Sequence, residues 1–257
     1  TAVLSMSSPG VHFGDDAAAV ALAREVNIVA STAQDEHPDR FAFFASLPLP
    51  DVDASTAELA FAMDVLGAKG AVVETNAHGV YLGDARMDAV YAELDARRGI
   101  LFIHPTSPAC FEATSLGRPR PMIEFMFDTA RAVTDLIVAG VPQRFPRMPI
   151  VVPHAGGVLP LLADRIQGFL SLFGDPDQPK PDVHGDLARM YFDLAGDPFP
   201  RLVPSLLTIV PRDHVLYGTD YCWTPAPGVA KRLSLIEADS PDWRTSTTSA
   251  ARALLRA

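Results

Sequence analysis

Three short apolar runs in this chain each end at a side chain that can bind a metal ion. The runs occupy segments 101–104, 150–154 and 215–220, whose last residues are His104, His154 and Asp220. A buried strand presents its last side chain at its carboxyl end, which is where the chemistry of a parallel β/α barrel lies. The order His, His, Asp therefore favours a metal-centred active site.

The sequence around these positions allows a structural role for each residue as well as a chemical one. His154 precedes Ala155-Gly156-Gly157, and consecutive glycines allow positive φ or close approach of a ligand to the backbone. His154 is thus a candidate ligand or general acid–base group, or a histidine in a strand-to-helix turn. Asp220 after a buried strand needs a cation or hydrogen-bond donors, or it caps the next helix.

Length, charge and cysteine content narrow the class of protein. With 257 residues, 48% of them hydrophobic, the chain suits one α/β domain over residues 1–257. The formal charge of −10 argues against nucleic-acid and anionic-membrane partners, and no apolar run approaches the ~18 residues of a membrane span. Cys110 and Cys222 lack CxxC spacing, which favours free thiols in a cytoplasmic protein over one disulfide.

Strand-like and helix-like segments alternate along the whole chain. This alternation predicts a parallel sheet with helical crossovers, either a (β/α)8 barrel lacking one strand or a doubly wound open sheet. No Gly-rich phosphate loop follows a strand, which weakens the nucleotide-binding form of the open sheet. The predicted strands are 2–6, 41–46, 70–75, 100–104, 149–153, 189–193 and 214–219. The predicted helices are 15–30, 55–66, 87–98, 122–139, 158–172, 199–210, 228–238 and 245–256.

Several further polar residues are candidates for the site or for structure. Ser55 with Glu58 three residues later predicts a capping box at the start of the second helix. Glu74-Thr75-Asn76 ends a predicted strand, so one of these residues, Asn76 among them, is a candidate substrate contact. We expect His12, in a polar loop, to be solvated. For the loop residue His78, both a functional and a solvated position remain possible.

Six stretches together resemble the metal-dependent amidohydrolase superfamily. Within it they are most similar to the branch of aromatic and semialdehyde acid decarboxylases around aminocarboxymuconate semialdehyde decarboxylase. The stretches are Pro38-Asp39-Arg40-Phe41, Tyr81-Leu82-Gly83-Asp84, Phe102-Ile103-His104-Pro105, Phe127-Asp128-Thr129-Ala130-Arg131, His154-Ala155-Gly156-Gly157 and Tyr217-Gly218-Thr219-Asp220-Tyr221.

The resemblance implies a distorted (β/α)8 barrel with a divalent metal, zinc in the first place and manganese in the second. His104 and Asp220 would bind the metal, with His154 beside it as proton donor or water-activating group. Arg165 matches an arginine that such enzymes lend to a neighbouring subunit, where its guanidinium pairs with a substrate carboxylate. The resemblance therefore implies a homodimer or a higher homo-oligomer. The alternative role for Arg165 is a salt bridge on the helix surface.

The first strand of the superfamily has no counterpart in this sequence. That strand carries an acidic residue or histidine, one intervening residue and a histidine, and no His-x-His occurs in the chain. The chain begins at what resembles the second strand, so we expect an amino-terminally incomplete barrel that lacks two metal ligands.

The leading hypothesis is non-oxidative decarboxylation of a small aromatic or unsaturated carboxylic acid. The metal would chelate the substrate, His154 or Asp220 would deliver the proton, and Arg165, Trp223 and Asn76 would bind the substrate. The same residues suit a metal-dependent hydrolase of a lactone or amide. A catalytically impaired barrel that binds small acids or acts as a scaffold is the third possibility.

Overall fold

The structure of the protein is a computed structural model that describes residues 1–175, 180–239 and 241–256. The chain forms two compact units, Thr1–Ile150 and Val151–Ala257. In both units the strands and helices alternate as the sequence predicts. None of the helices in the described ranges is long and apolar enough to cross a membrane.

The first unit is built on short parallel strands. β1 pairs with β2, β3 pairs with β4, and β4 pairs with β7, all in parallel, while β5 and β6 form an antiparallel hairpin. The strands are β1 (Ala2–Leu4), β2 (Phe41–Phe43), β3 (Ala45–Ser46), β4 (Gly70–Glu74), β5 (Asn76–Ala77), β6 (Val80–Tyr81) and β7 (Ile100–His104).

β4 and β7 form the centre of the first unit because they are almost continuously apolar, as parallel strands covered on both faces must be. Their register pairs Gly70 with Ile100 and Glu74 with His104, so the two polar residues end adjacent strands at the same edge. The predicted strand 41–46 is divided at Phe44 into β2, which pairs with β1, and β3, which pairs with β4.

Helices follow the strands of the first unit. They are α1 (Asp16–Glu36), α2 (Val52–Asp64), α3 (Asp88–Arg97), α4 (Phe111–Thr114), α5 (Arg120–Val138) and α6 (Val141–Arg144). The predicted capping box at Ser55 is wrong, because Asp51 caps α2 by accepting a hydrogen bond from the N–H of Ala54. Glu58 instead lies buried inside the helix, where it accepts hydrogen bonds from Arg24 and Asn27.

The second unit repeats the pattern with β8 (Ile150–Val152), whose first residue ends the first unit, β9 (Tyr191–Asp193) and β10 (Val215–Leu216). β9 pairs in parallel with both β8 and β10. The accompanying helices are α7 (Leu159–Phe173), α8 (Val183–Arg189), α9 (Leu202–Leu206), α10 (Ala226–Asp239) and α11 (Trp243–Leu254). Phe192 of β9 and Trp243 of α11 are among its fully buried side chains.

Candidate active site

The carboxyl edge of β4 and β7 brings a carboxylate and an imidazole together in the first unit. Nδ1 of His104 lies 3.5 Å from Oε2 of Glu74, and Oε2 has no hydrogen-bond partner among the described residues. Burial raises the pKa of Glu74, and the proximity of His104 opposes that rise. The edge therefore carries two groups that can bind a cation or exchange a proton.

The surroundings of His104 favour the tautomer that presents Nε2 as a metal ligand. Nδ1 lies 2.9 Å from the carbonyl oxygen of Pro105 and close to Glu74, so two acceptors face a proton on Nδ1. The N–H of Ser8, 3.3 Å away, donates to Nδ1 only in the other tautomer. Metal-bound histidines are commonly fixed by donation from their second nitrogen to a carbonyl or carboxylate.

The donor set fits a divalent metal in part. His104 can supply one metal ligand, because its Nε2 makes no hydrogen bond within the described residues. The same residues contain no group of three or more His, Cys, Asp or Glu side chains arranged to hold a metal ion. Stable binding of a transition metal needs further donors, because structural and catalytic sites use at least three protein ligands.

Asp128 organises the turn that follows β4. Its fully buried carboxylate accepts hydrogen bonds from Thr75 Oγ1 (2.6 Å), Asn76 Nδ2 (2.9 Å) and Tyr81 Oη (2.6 Å), and it forms an ion pair with Arg131. Burial and the bond to Asp128 raise the pKa of Tyr81 to about 12, so the phenol remains the donor. Residues 75 to 81 are thereby fixed against α5.

Asn76, a predicted substrate contact, has its amide largely occupied by the protein. Nδ2 donates to Asp128 and to the carbonyl oxygen of Ser107 (3.1 Å), while Oδ1 accepts from the N–H of Gly79 (3.0 Å). Both amide protons are used, so a ligand could only donate to the remaining lone pair of Oδ1. A positioning role for the 76–79 turn accounts for these contacts.

A cavity of about 370 Å³ opens beside this edge, inside the first unit. Its lining combines apolar side chains with polar and basic ones. The apolar lining includes Met6, Val11, Leu47, Leu49, Val72, Val73 and Phe111; the polar lining includes Ser46, Glu74, Asn76, Thr106, Ser107, His12, His78 and Arg120. Small-molecule sites of about 300–1,000 Å³ have this mixture, an apolar surface with a few polar groups that fix orientation.

His12 lines the cavity and is not a solvated loop residue, so that prediction is wrong. Its side chain is 11% exposed, Nε2 lies 2.8 Å from Oδ1 of Asp16, and Nδ1 accepts the N–H of Gly14 at 3.2 Å. The rings of His12 and His78 meet edge to face, with centroids 4.5 Å apart. Sequence reasoning missed His12 because loop polarity gives no sign of the turn that folds it inward.

In the second unit, His154 occupies a strained turn directly after β8. His154 (φ 54°) and Ala155 (φ 50°) both adopt left-handed backbone, followed by Gly156 and Gly157 with positive φ. The N–H of His154 donates to Oδ1 of Asp193 at 3.0 Å, and the same oxygen accepts the N–H of Ala195 at 2.9 Å. Asp193 at the end of β9 therefore holds the His154 turn in place, and backbone strain of this kind is concentrated at functional sites.

Asp220 follows β10, on the other side of β9. Its backbone is also left-handed (φ 53°), its carbonyl accepts the N–H of Thr224 at 2.7 Å, and Oδ2 lies 3.4 Å from Thr224 Oγ1. Gly218 passes so close to Asp193 that a Cβ there would lie 3.0 Å from the carboxylate. Since β8, β9 and β10 are parallel, His154 and Asp220 follow strands on either side of Asp193 at one edge of the second unit.

Trp223 and Arg165 complete the predicted set in the second unit. Trp223 is 69% exposed in the turn after Asp220. Arg165 is exposed on α7, and no ion pair holds it within the described ranges, so the salt bridge considered as its alternative is not formed there. Around it on the helix, Leu161, Phe169, Leu172 and Phe173 expose more than half of their surface.

Of the predicted residues, His104 and Asn76 lie in the first unit, and His154, Asp220, Arg165 and Trp223 in the second. The structure brings His104 to Glu74, and Asn76 to Asp128, at the edge that borders the cavity. It places His154 and Asp220 after parallel strands that flank Asp193. That all these residues act on one ion and one substrate stays a prediction.

Comparison with known proteins shows which proteins the whole chain resembles. The family model described as amidohydrolase matches residues 2–256. A 6-methylsalicylic acid decarboxylase of Penicillium expansum is 33% identical over 244 residues, which cover 93% of this chain and 75% of that protein.

Solved structures resemble the chain over 99% of its length. A crystal structure of an amidohydrolase II matches with a TM-score of 0.89 and 30% identity, and the match covers 83% of that protein's chain. A dihydroxybenzoic acid decarboxylase from Polaromonas, solved with bound manganese and the inhibitor 2-nitroresorcinol, matches with a TM-score of 0.87 and 22% identity and is covered to 81%. These likenesses confirm the predicted α/β class, a distorted barrel, over the doubly wound sheet.

Proposed function

We propose that this chain, which belongs to the amidohydrolase family, is a metal-dependent decarboxylase that removes CO2 non-oxidatively from small aromatic carboxylic acids. The observation that carries the proposal is the match to a 6-methylsalicylic acid decarboxylase over 93% of the chain. The mixed apolar and polar cavity at the carboxyl edge of β4 agrees with a small aromatic acid as ligand.

The reaction needs a proton and a way to hold negative charge. Loss of CO2 from an aryl carboxylate leaves an electron pair on an sp² ring carbon that cannot stabilise it, so protonation of that carbon lowers the barrier. A positioned acid contributes typically about 10²–10⁴-fold to such a step. We assign delivery of the proton to His154, because its turn is fixed by Asp193 and histidine is the side chain that most often acts as a general acid or base. Asp220 is the second group at that edge.

When bound, a divalent metal would supply Lewis-acid stabilisation of negative charge on the substrate's oxygen atoms. His104 and Asp220 are the residues of this chain that would hold it. Zinc and manganese both accept imidazole and carboxylate ligands, and manganese is the metal named for the Polaromonas relative. Asn76 is assigned to hold the turn beside the substrate. Trp223 is assigned to bind the substrate.

The chain also fits a homodimer in which Arg165 serves the partner's site. Leu161 precedes Arg165 by four residues, and Phe169 and Phe173 follow it at intervals of four, so all lie on one face of α7. An exposed apolar stripe of this kind marks an interaction surface. A guanidinium in its middle, without an ion pair among the described residues, is available to a carboxylate supplied from outside the chain.

A complementation experiment tests the shared arginine. Arg165→Ala should lower decarboxylation because the substrate carboxylate loses a bidentate partner. Mixed oligomers of Arg165→Ala with His154→Ala should recover part of the activity, since one of the two sites regains both groups. Absence of recovery in mixtures that are shown to exchange subunits would contradict sharing across an interface.

The proposed location is the cytoplasm, which agrees with two exposed free cysteines, Cys110 and Cys222.

The function itself is tested by following CO2 release from 2-hydroxybenzoates. With manganese or zinc added we expect CO2 and the corresponding phenol, and a chelator should stop the reaction until metal is restored. Ring-opened product from a lactone with no CO2 from any hydroxybenzoate would establish the hydrolase alternative in place of the decarboxylase.

A further inference from the structure

We propose that Arg120 and His78, which line the cavity of the first unit, are further binding groups for the acidic group of the substrate, in addition to the Arg165 side chain assigned above. The identification of the ligand as an aromatic acid rests on the proposed function. The two residues are binding groups that select an anionic ring and determine affinity, and no bond is made or broken by them.

Arg120 provides a permanent positive charge at the cavity. It is the first residue of α5 and lines the cavity, with its guanidinium carbon 4.9 Å from the centroid of the Phe111 ring. No carboxylate pairs with it in the part of the chain that the structure describes. Stacking on Phe111 holds the guanidinium plane in one orientation, which leaves its N–H edge available for a carboxylate.

His78 provides a second donor on the same cavity. Its backbone is left-handed (φ 51°) in the turn that Asn76 closes by accepting the N–H of Gly79. The neighbouring ring of His12 is engaged on both nitrogens, by Asp16 and by Gly14. His78 has no hydrogen-bond partner within the described residues, so its ring nitrogens are the histidine groups available to a ligand.

The apolar part of the cavity lining suits an aromatic ring. Val11, Leu47 and Leu49 are each less than 10% exposed and line the cavity together with Phe111. The volume of about 370 Å³ lies near the lower limit for small-molecule sites, about 300 Å³, which favours a single ring over a fused or extended ligand. An apolar lining combined with a guanidinium that has no ion pair among the described residues matches a benzoic acid.

The acidic side chains at or near the cavity do not neutralise this charge. Glu74 is the acid among its lining residues, and its carboxylate is directed at His104 with an Oε2–Nδ1 distance of 3.5 Å. The nearby Asp16 is bonded to His12. The basic groups of the cavity are therefore free to compensate an incoming anion.

Equilibrium binding of salicylate and its uncharged amide, salicylamide, tests the assignment without any turnover. The wild-type protein should bind salicylate at least about tenfold more tightly than salicylamide, the effect of a hydrogen bond to a charged group. Arg120→Gln should lower that ratio while the affinity for salicylamide stays unchanged, and His78→Gln should lower it to a smaller extent. Arg118→Gln, two residues away and outside the cavity lining, is the matched control.

The outcomes separate the two proposals. Salicylate affinity that is unchanged in Arg120→Gln, or absence of binding of either compound to the wild type, overturns the assignment. If the wild type prefers salicylate more strongly than Arg120→Gln does, the assignment holds even when no CO2 is released, in which case the proposed function alone fails. If CO2 is released but both variants keep the wild-type KM, the binding assignment alone fails.

Discussion

Replacing His154 with asparagine should lower kcat for aryl acid decarboxylation by about 10²–10⁴-fold, the contribution of a positioned proton donor. Asparagine tolerates the left-handed backbone at this position, φ 54°, and the backbone N–H can still donate to Asp193. The loss should therefore come from chemistry and not from folding. Steady-state kinetics together with thermal unfolding of the same preparations would measure both quantities.

His184→Asn is the matched control for this variant. His184 lies in the second unit on α8, is partly exposed, and contacts the exposed Asp164 at 2.9 Å. Its replacement should leave kcat close to the wild-type value. If His154→Asn also retains wild-type activity, His154 has no part in proton delivery and Asp220 becomes the remaining candidate.

Asp128→Ala should cost about 3–5 kcal/mol of unfolding free energy, the largest effect on stability that we expect. The substitution leaves the hydroxyls of Thr75 and Tyr81 and the amide of Asn76 without their common acceptor in a buried location. Each buried donor that loses its partner costs about 1–3 kcal/mol. Urea unfolding followed by circular dichroism would measure the change.

A second readout identifies the cause of that loss. Because Asp128 contributes to raising the pKa of Tyr81 to about 12, the phenol should titrate at lower pH in any folded Asp128→Ala protein. Asp164→Ala, which removes an exposed carboxylate, should change stability by less than about 1 kcal/mol. An unfolding midpoint for Asp128→Ala equal to that of wild type would contradict the structural role given to this carboxylate.

The strands that carry the candidate site could be located from sequence because buried parallel strands are nearly continuous apolar runs. Segments 70–75 and 100–104 became β4 and β7, and the residues expected at their ends, Asn76 and His104, lie at the edge beside the cavity. The resemblance to amidohydrolases added the fold class, which the apolar pattern alone left divided between a barrel and an open sheet.

Contacts between distant residues could not be predicted in the same way. Asp128 entered only as part of a family-like stretch, although it bonds residues 47 to 53 positions away. The capping box at Ser55 was wrong because Asp51 offers an equally good cap one turn earlier, and the burial of Glu58 against Arg24 and Asn27 decides between them. The position of His12 likewise depends on the turn that brings it to His78.

The most direct test of the proposed activity uses salicylate with an isotopic label at its carboxyl carbon and measures where the label goes. Incubation with the protein and manganese in deuterated water should yield labelled CO2 and phenol in equal amounts, with deuterium at the carbon that carried the carboxylate. Intact salicylate after prolonged incubation with metal-loaded protein, or labelled carbon that remains in an organic product, would contradict decarboxylation.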